Sequence, residues 1–160
     1  GRIFTGDSSG DWLYKALHKV GIAKIPTSTS INDGQKLNGV RISCAVRCAP
    51  PDNKPSILER DNCAPFLIRE IAILEKNLNS ILALGAFAWK SAISALVENG
   101  YEISKPTPKF AHGANFLATK EKKKLNVIGS YHPSQQNTFT GKLTEKMLSD
   151  VITRALKAQK

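Results

Sequence analysis

Leu125-Asn126-Val127-Ile128-Gly129-Ser130-Tyr131-His132-Pro133-Ser134-Gln135-Gln136-Asn137-Thr138-Phe139-Thr140-Gly141-Lys142-Leu143-Thr144 passes from an apolar, strand-like run directly into a polar loop. A short apolar run bounded by turn signals reads as a buried strand. Pro133 and Gly141 argue against a regular element between them. A His, an Asn, two Gln and several hydroxyls are thereby gathered at one strand end. Loops carried on a rigid sheet are where binding and catalytic groups concentrate. The plainer reading is a polar surface turn ahead of a C-terminal helix.

Working outward, helices and strands alternate. Trp12, Leu13, Ala16, Leu17 and Val20 share one helical face, and Gly21 follows as a C-cap. Val40 to Val46 reads as a buried strand, with Val40, Ile42, Cys44 and Val46 turned inward. Pro50, Pro51 and Pro55 punctuate a long loop. Pro65 suits the first turn of a helix carrying Phe66, Ile71, Leu74 and Leu78. Ser80 to Gly85 is a short apolar strand. Phe87, Ile93, Leu96 and Val97 line the next helix, which stops at Gly100. Residues 109–126 hold two short segments around His112-Gly113 and a basic turn. Leu148, Val151, Ile152 and Leu156 make the last helix amphipathic. This alternation predicts an α/β fold with a parallel sheet, and residues 1–160 as a single domain. Ligands of such sheets bind beyond the carboxyl ends of the strands, where the His132 loop and the Cys48 to Asn53 loop both fall.

A chain of 160 residues can bury one sizeable core, and 41% hydrophobic with 22% charged residues is a globular balance. No apolar run approaches a membrane span. The net charge of +10 points to a polyanionic partner such as nucleic acid, although basicity also serves solubility alone. Three Cys make a disulfide framework unlike this chain; reduced thiols or a metal site, in a cytoplasmic setting, are expected.

The stretch from His132 to Thr144 resembles the second signature motif of the uracil-DNA glycosylase superfamily, in the form carried by its family 5 enzymes. The family pattern reads His-Pro-Ser-x-x-Asn-x-x-Thr-Gly-Arg-Leu-Thr, and the chain departs from it only at Lys142, where Arg is usual. Two further segments follow family order. Gly1-Arg2-Ile3-Phe4-Thr5-Gly6-Asp7 resembles the segment after the first motif, and Cys48-Ala49-Pro50-Pro51-Asp52-Asn53-Lys54-Pro55 resembles the third.

The resemblance implies a three-layer αβα domain and a monofunctional enzyme that removes uracil from single- or double-stranded DNA. Cleaving the N-glycosidic bond leaves a cationic sugar and an anionic base, after the base has left the duplex for a closed pocket. A donor near uracil O2 stabilises the leaving group, a role that falls to His132. A carboxylate near the sugar balances positive charge and orients water, a role that falls to Asp7. Residue chemistry alone favours helix capping for Asp7. Phe4 would stack on uracil. Asn53 would read its edge, since an amide offers both a donor and an acceptor; by itself it is equally an Asn in a turn before Pro55. Asn137 would hold the leaving base or the abasic site. Gln135, Gln136, Phe139 and Lys142 would lie against DNA, to wedge into the gap or grip phosphate.

Cys48 and Cys63, separated by fourteen residues, are spaced like one pair of the ligands that hold a four-iron, four-sulfur (4Fe-4S) cluster in families 4 and 5. The other pair is an N-terminal Cys-x-x-Cys with no counterpart here. Cys44 reads most simply as a core residue. His18 and His112 read as local structural residues. The runs Lys120 to Lys124 and Lys142 to Lys160 read as solvated faces, of which only the second begins near the signature loop. The first motif and its strand are also absent, so the chain is expected to be an N-terminally truncated, monomeric glycosylase domain. A sheet gap or edge beside the Val40 strand and a poorly anchored Asp7 segment are expected with it. Two other classes remain open at this point: a catalytically inactive DNA-binding remnant of the same fold, and a metal-binding or redox protein built on the three Cys.

Overall fold

The structure, a computed structural model, describes residues 2–48, 50 and 55–157. Asp7 opens α1 (Ser8–Lys19) by accepting the Gly10 N–H at 2.7 Å, and Leu13, Tyr14, Ala16 and Leu17 form its buried face. A long irregular segment leads to α2 (Ile57–Leu74). β1 (Ser80–Leu84) and α3 (Ala86–Glu98) follow, then the hairpin β2 (Asn115–Lys120) and β3 (Lys123–Ser130), the single-turn α4 (Gln135–Phe139) and α5 (Glu145–Lys157).

The sheet order is β1-β3-β2. β1 pairs with β3 in parallel, from Ser80 opposite Asn126 to Leu84 opposite Ser130, whereas β2 runs antiparallel to β3. The central strand is apolar on both faces for a simple reason. Leu125 and Val127 enter one core with Trp89, Leu96 and Phe116, while Ile128 enters a second with Leu13, Tyr14, Leu148 and Ile152. Helices α1 and α5 cover one face of the sheet and α2 and α3 the other, which is the expected αβα layering. The sheet itself is mixed rather than all-parallel, because the segment before the basic turn folds back as β2.

Several expectations are corrected. Val40 to Val46 forms no strand. Its alternation survives as half-buried Val40 and Ile42 against the α1–α5 core, but Arg41 and Arg47 are both drawn to Glu70 on α2 and away from a ladder. Pro65 lies inside α2, not in its first turn. The Ser56–Glu59 capping box satisfies the orphan N–H groups earlier in the chain and starts the helix there. Phe66 is 52% exposed, with the Arg47 guanidinium 4.9 Å over its ring, and only Ile71 of α2 is fully buried. On α3 the buried row is Trp89, Ala92, Ala95 and Leu96, while Phe87 and Val97 face out. One turn of helix, α4, fits between Pro133 and Gly141, where no regular element was expected.

The Asp7 segment is firmly held rather than loose. Arg2 Nη1 donates to Asp33 and to Ser28 Oγ at 2.8 Å, the Thr5 and Ser28 hydroxyls are 2.7 Å apart, and the Gly6 N–H reaches the Ser28 carbonyl at 3.1 Å. The Gln35 N–H, with further N–H groups and Arg2, holds the Asp33 carboxyl well below the usual carboxylate range. Among the described residues β1 is paired on one side only, so an open edge does exist, at β1 itself.

Candidate active site

The parallel pair β1 and β3 ends at a common line. The Gly85 N–H donates to the Ser130 carbonyl at 2.8 Å, and both chains leave the sheet there, one into α3 and the other into the His132 loop. The two departures nearly touch, since a Cβ placed on Gly85 would lie 3.4 Å from that of His132. The positive end of α3 therefore opens beside His132.

The N-terminal segment arrives from the other side. Phe4 sits at φ 58, a left-handed conformation uncommon for a residue with a side chain. Outliers of this kind cluster at functional sites. The conformation brings its ring to 5.6 Å from the His132 ring, tilted by 35°. It also lays the Phe4 carbonyl on α1, where only Gly10 leaves room: a Cβ there would come within 2.2 Å of the Phe4 oxygen.

Burial pushes the His132 imidazole below its ordinary pKa, while the nearby Asp7 carboxylate pulls the other way. A neutral ring offers one N–H donor and one acceptor. Asp7 spends Oδ1 on capping α1, which fixes the carboxylate and leaves its second oxygen open. Capping and catalysis, competing readings in the sequence, are compatible in space.

Asn137 donates from Nδ2 to the His132 carbonyl at 2.9 Å, so one turn of α4 bolts the loop to its own first residue. Gln135 and Gln136 are exposed, and Phe139 is 79% exposed at the outer tip. Lys142 lies with Nζ 4.8 Å over the Tyr131 ring, on the loop's flank. The structure thus brings Phe4, Asp7, His132 and Asn137 together. Asn53 lies outside the described residues. The run Lys120 to Lys124 falls at the opposite end of β3 from His132, away from this site.

Cys48 and Cys63 are neighbours beside the first half of α2. The Arg47 N–H donates to Cys63 Sγ at 3.3 Å, and the Cys48 thiol is raised by desolvation, with Glu59 and Cys63 adding to it. Two adjacent thiols fit half of a four-thiolate cluster site. Among the described residues no group of three or more His, Cys, Asp or Glu stands in a ligating arrangement. Cys44 is half-buried and raised mainly by burial, as a packed thiol should be.

The close packing of Gly10, the bonding of Ser28 and the pairing of Asp33 with Arg2 are not legible in the sequence. Gly10 breaks helix propensity early in α1, which was the available signal. Ser28 carries no local signal, because its task is long-range; Asp33 before Gly34 is a turn signal, borne by its bonds to the Thr29, Ser30 and Gln35 N–H groups, and only its pairing with Arg2 is long-range.

A family model described as the uracil DNA glycosylase superfamily matches residues 1–156. The chain is similar to the type-5 uracil-DNA glycosylase of Mycobacterium bovis, 44% identical over 98% of this chain and 56% of the relative. It is similar to the type-5 enzymes of Thermus thermophilus, 38% identical over 97% of this chain and 66% of the relative, and of Pyrobaculum aerophilum, 37% identical over 97% and 63%. The chain thus spans between about half and two thirds of the length of these relatives.

Proposed function

Starting from a chain that belongs to the uracil DNA glycosylase superfamily, we propose that it carries the catalytic centre of a monofunctional glycosylase that hydrolyses uracil from DNA in base excision repair. The observation that supports this best is the meeting of Phe4, Asp7 and His132 at the carboxyl ends of β1 and β3. A flipped uracil stacked on Phe4 would present O2 to the neutral His132 N–H. As the C1′–N1 bond breaks, its electron pair goes to the base, and the hydrogen bond from His132 strengthens as O2 gains charge. The free oxygen of Asp7 orients a water toward C1′ and balances the positive sugar. Water adds its oxygen to C1′, its proton leaves to solvent through Asp7, and the uracil anion takes a proton from solvent. Asn137 keeps His132 aimed and faces the departing base. Asn53 reads the uracil edge.

Exposed Gln135, Gln136 and Phe139 meet DNA at the gap left by the base, and Lys142 meets phosphate. The substrate is uracil-containing DNA, single- or double-stranded, the protein acts as an intracellular monomer, and other deaminated bases fall within reach of the same pocket. Cys48 and Cys63 supply one thiol pair of a 4Fe-4S cluster, whose other ligands come from outside the described residues. When bound, such a cluster cross-links the loop beside α2, and base excision needs no electron from it. Among the described residues no helix is long and apolar enough to cross a membrane.

The test is direct. The protein, at this length and extended to the length of its relatives, is incubated with labelled single- and double-stranded uracil DNA, and abasic sites are counted. Asp7→Ala and His132→Ala each lower base release by about two to three orders of magnitude while the fold persists. Release at the parental rate in both variants, or none from the extended protein, refutes the assignment.

A further inference from the structure

Tyr131 is the residue that hands the chain from β3 to His132, and its backbone N–H lies one step beyond the last rung of the sheet. It is satisfied by a side chain instead. His112 Nδ1 accepts the Tyr131 N–H at 3.2 Å, and the two rings lie 5.2 Å apart. The preceding Ser130 hydroxyl donates to the Tyr131 carbonyl at 3.0 Å and sits 3.5 Å from the same Nδ1. Both backbone polar groups of Tyr131, one on each of the two peptides leading to His132, are thus held, the N–H by a ring nitrogen that must carry a lone pair.

The fold goes to some length to put that nitrogen there. The 111–114 turn is pressed against β3, with the Gly113 N–H on the Gly129 carbonyl and the Gly129 N–H on the Ala114 carbonyl, each at 2.8 Å. Gly129 must lack a Cβ for this approach, since one would meet the Ala111 carbonyl oxygen at 2.7 Å. Burial lowers the His112 pKa, a hydrogen bond to the Met147 backbone on α5 opposes this, and the Arg154 charge on α5 reinforces it. A protonated ring would aim N–H at N–H, so the geometry requires the Nε2–H tautomer.

We propose that His112 is a positioning residue for base excision, which as a neutral acceptor fixes the Ser130–Tyr131 peptide and through it the aim of His132. This rests on the excision reading of the site. Base release in a single turnover is the primary readout, with DNA affinity measured beside it. His112→Ala is expected to slow release about tenfold to a hundredfold, with affinity changed less than about twofold. His112→Asn, whose amide oxygen can stand where Nδ1 stood, is expected to recover most of the rate. Imidazole 15N spectra of the parental protein should show Nδ1 unprotonated and Nε2 protonated at neutral pH, a readout independent of activity and of how the variants fold. Parental rates in His112→Ala, equal impairment in the Ala and Asn variants, or a protonated Nδ1 would each overturn the positioning role while leaving excision standing. A parental protein that releases no uracil overturns the excision reading and the positioning role together.

Discussion

Replacing Gly10 by Ala perturbs the site through a helix that touches no substrate. The new methyl carbon would sit 2.2 Å from the Phe4 carbonyl oxygen, 2.8 Å from its carbonyl carbon and 3.4 Å from its Cα. Carbon and oxygen rest at about 3.3–3.6 Å, so the Phe4 backbone must retreat by about 1 Å. Every crowded atom is main chain, so no rotamer change relieves it. Phe4 has little freedom to give, because it already sits at φ 58 and its neighbour Ile3 takes the Tyr14 hydroxyl at 3.3 Å. Overpacking of this kind costs about 1–3 kcal/mol. Ala in place of Gly returns roughly 1 kcal/mol of helix propensity. The net destabilisation is then at most about 2 kcal/mol, or several degrees in Tm at about 2–4 °C per kcal/mol. The rate should suffer far more. A 1 Å displacement of the Phe4 ring from the His132 ring, with Asp7 on the same short segment, is expected to cost about a hundredfold in base release. Thermal unfolding and single-turnover excision on uracil DNA are measured together. A Gly10→Ala protein as stable as the parent, or more so, with an unchanged excision rate would refute the packing of Phe4 on α1.

Three further outcomes are expected. Asn137→Ala removes the bond to the His132 carbonyl, costing about 1 kcal/mol of stability and slowing base release; unfolding and excision both unchanged would remove this residue from the site. His112 and His132 both have pKa values lowered from 6.5. The unfolded chain therefore takes up protons first as pH falls below 6.5, and stability is lost from there down to the folded values and is full above. Denaturant titrations across this window should show stability rising with pH, with a weaker slope once His112 is replaced by Asn; a flat profile contradicts the burial of these rings. With a net charge of +10, DNA affinity should fall linearly in a log–log plot against salt, and an affinity indifferent to salt argues against a phosphate-gripping surface.

Patterns that act over a few residues are legible in the sequence. The apolar period of α1 and α5, the short runs of β1 and β3, and the polar loop after β3 are local, and each local preference agrees with the fold around it. The motif residues His132 and Asn137 belong to that loop and were readable with it. Val40 to Val46 shows the limit. Its alternation suits a strand, but a strand exists only by pairing, and ion pairs to Glu70 hold this segment elsewhere. Pro65 shows another, since the capping box at Ser56 and Glu59 decided where α2 starts. What tertiary structure alone decided is the meeting of Phe4 with His132, the need for Gly10, and the use of His112 as an acceptor. Sequence period reports which face of an element is apolar, but not which backbone atom of a distant segment will press on it. That is set by the register of β1 on β3 and by close packing on both faces of the sheet, which leave room at those points for one residue type and one orientation.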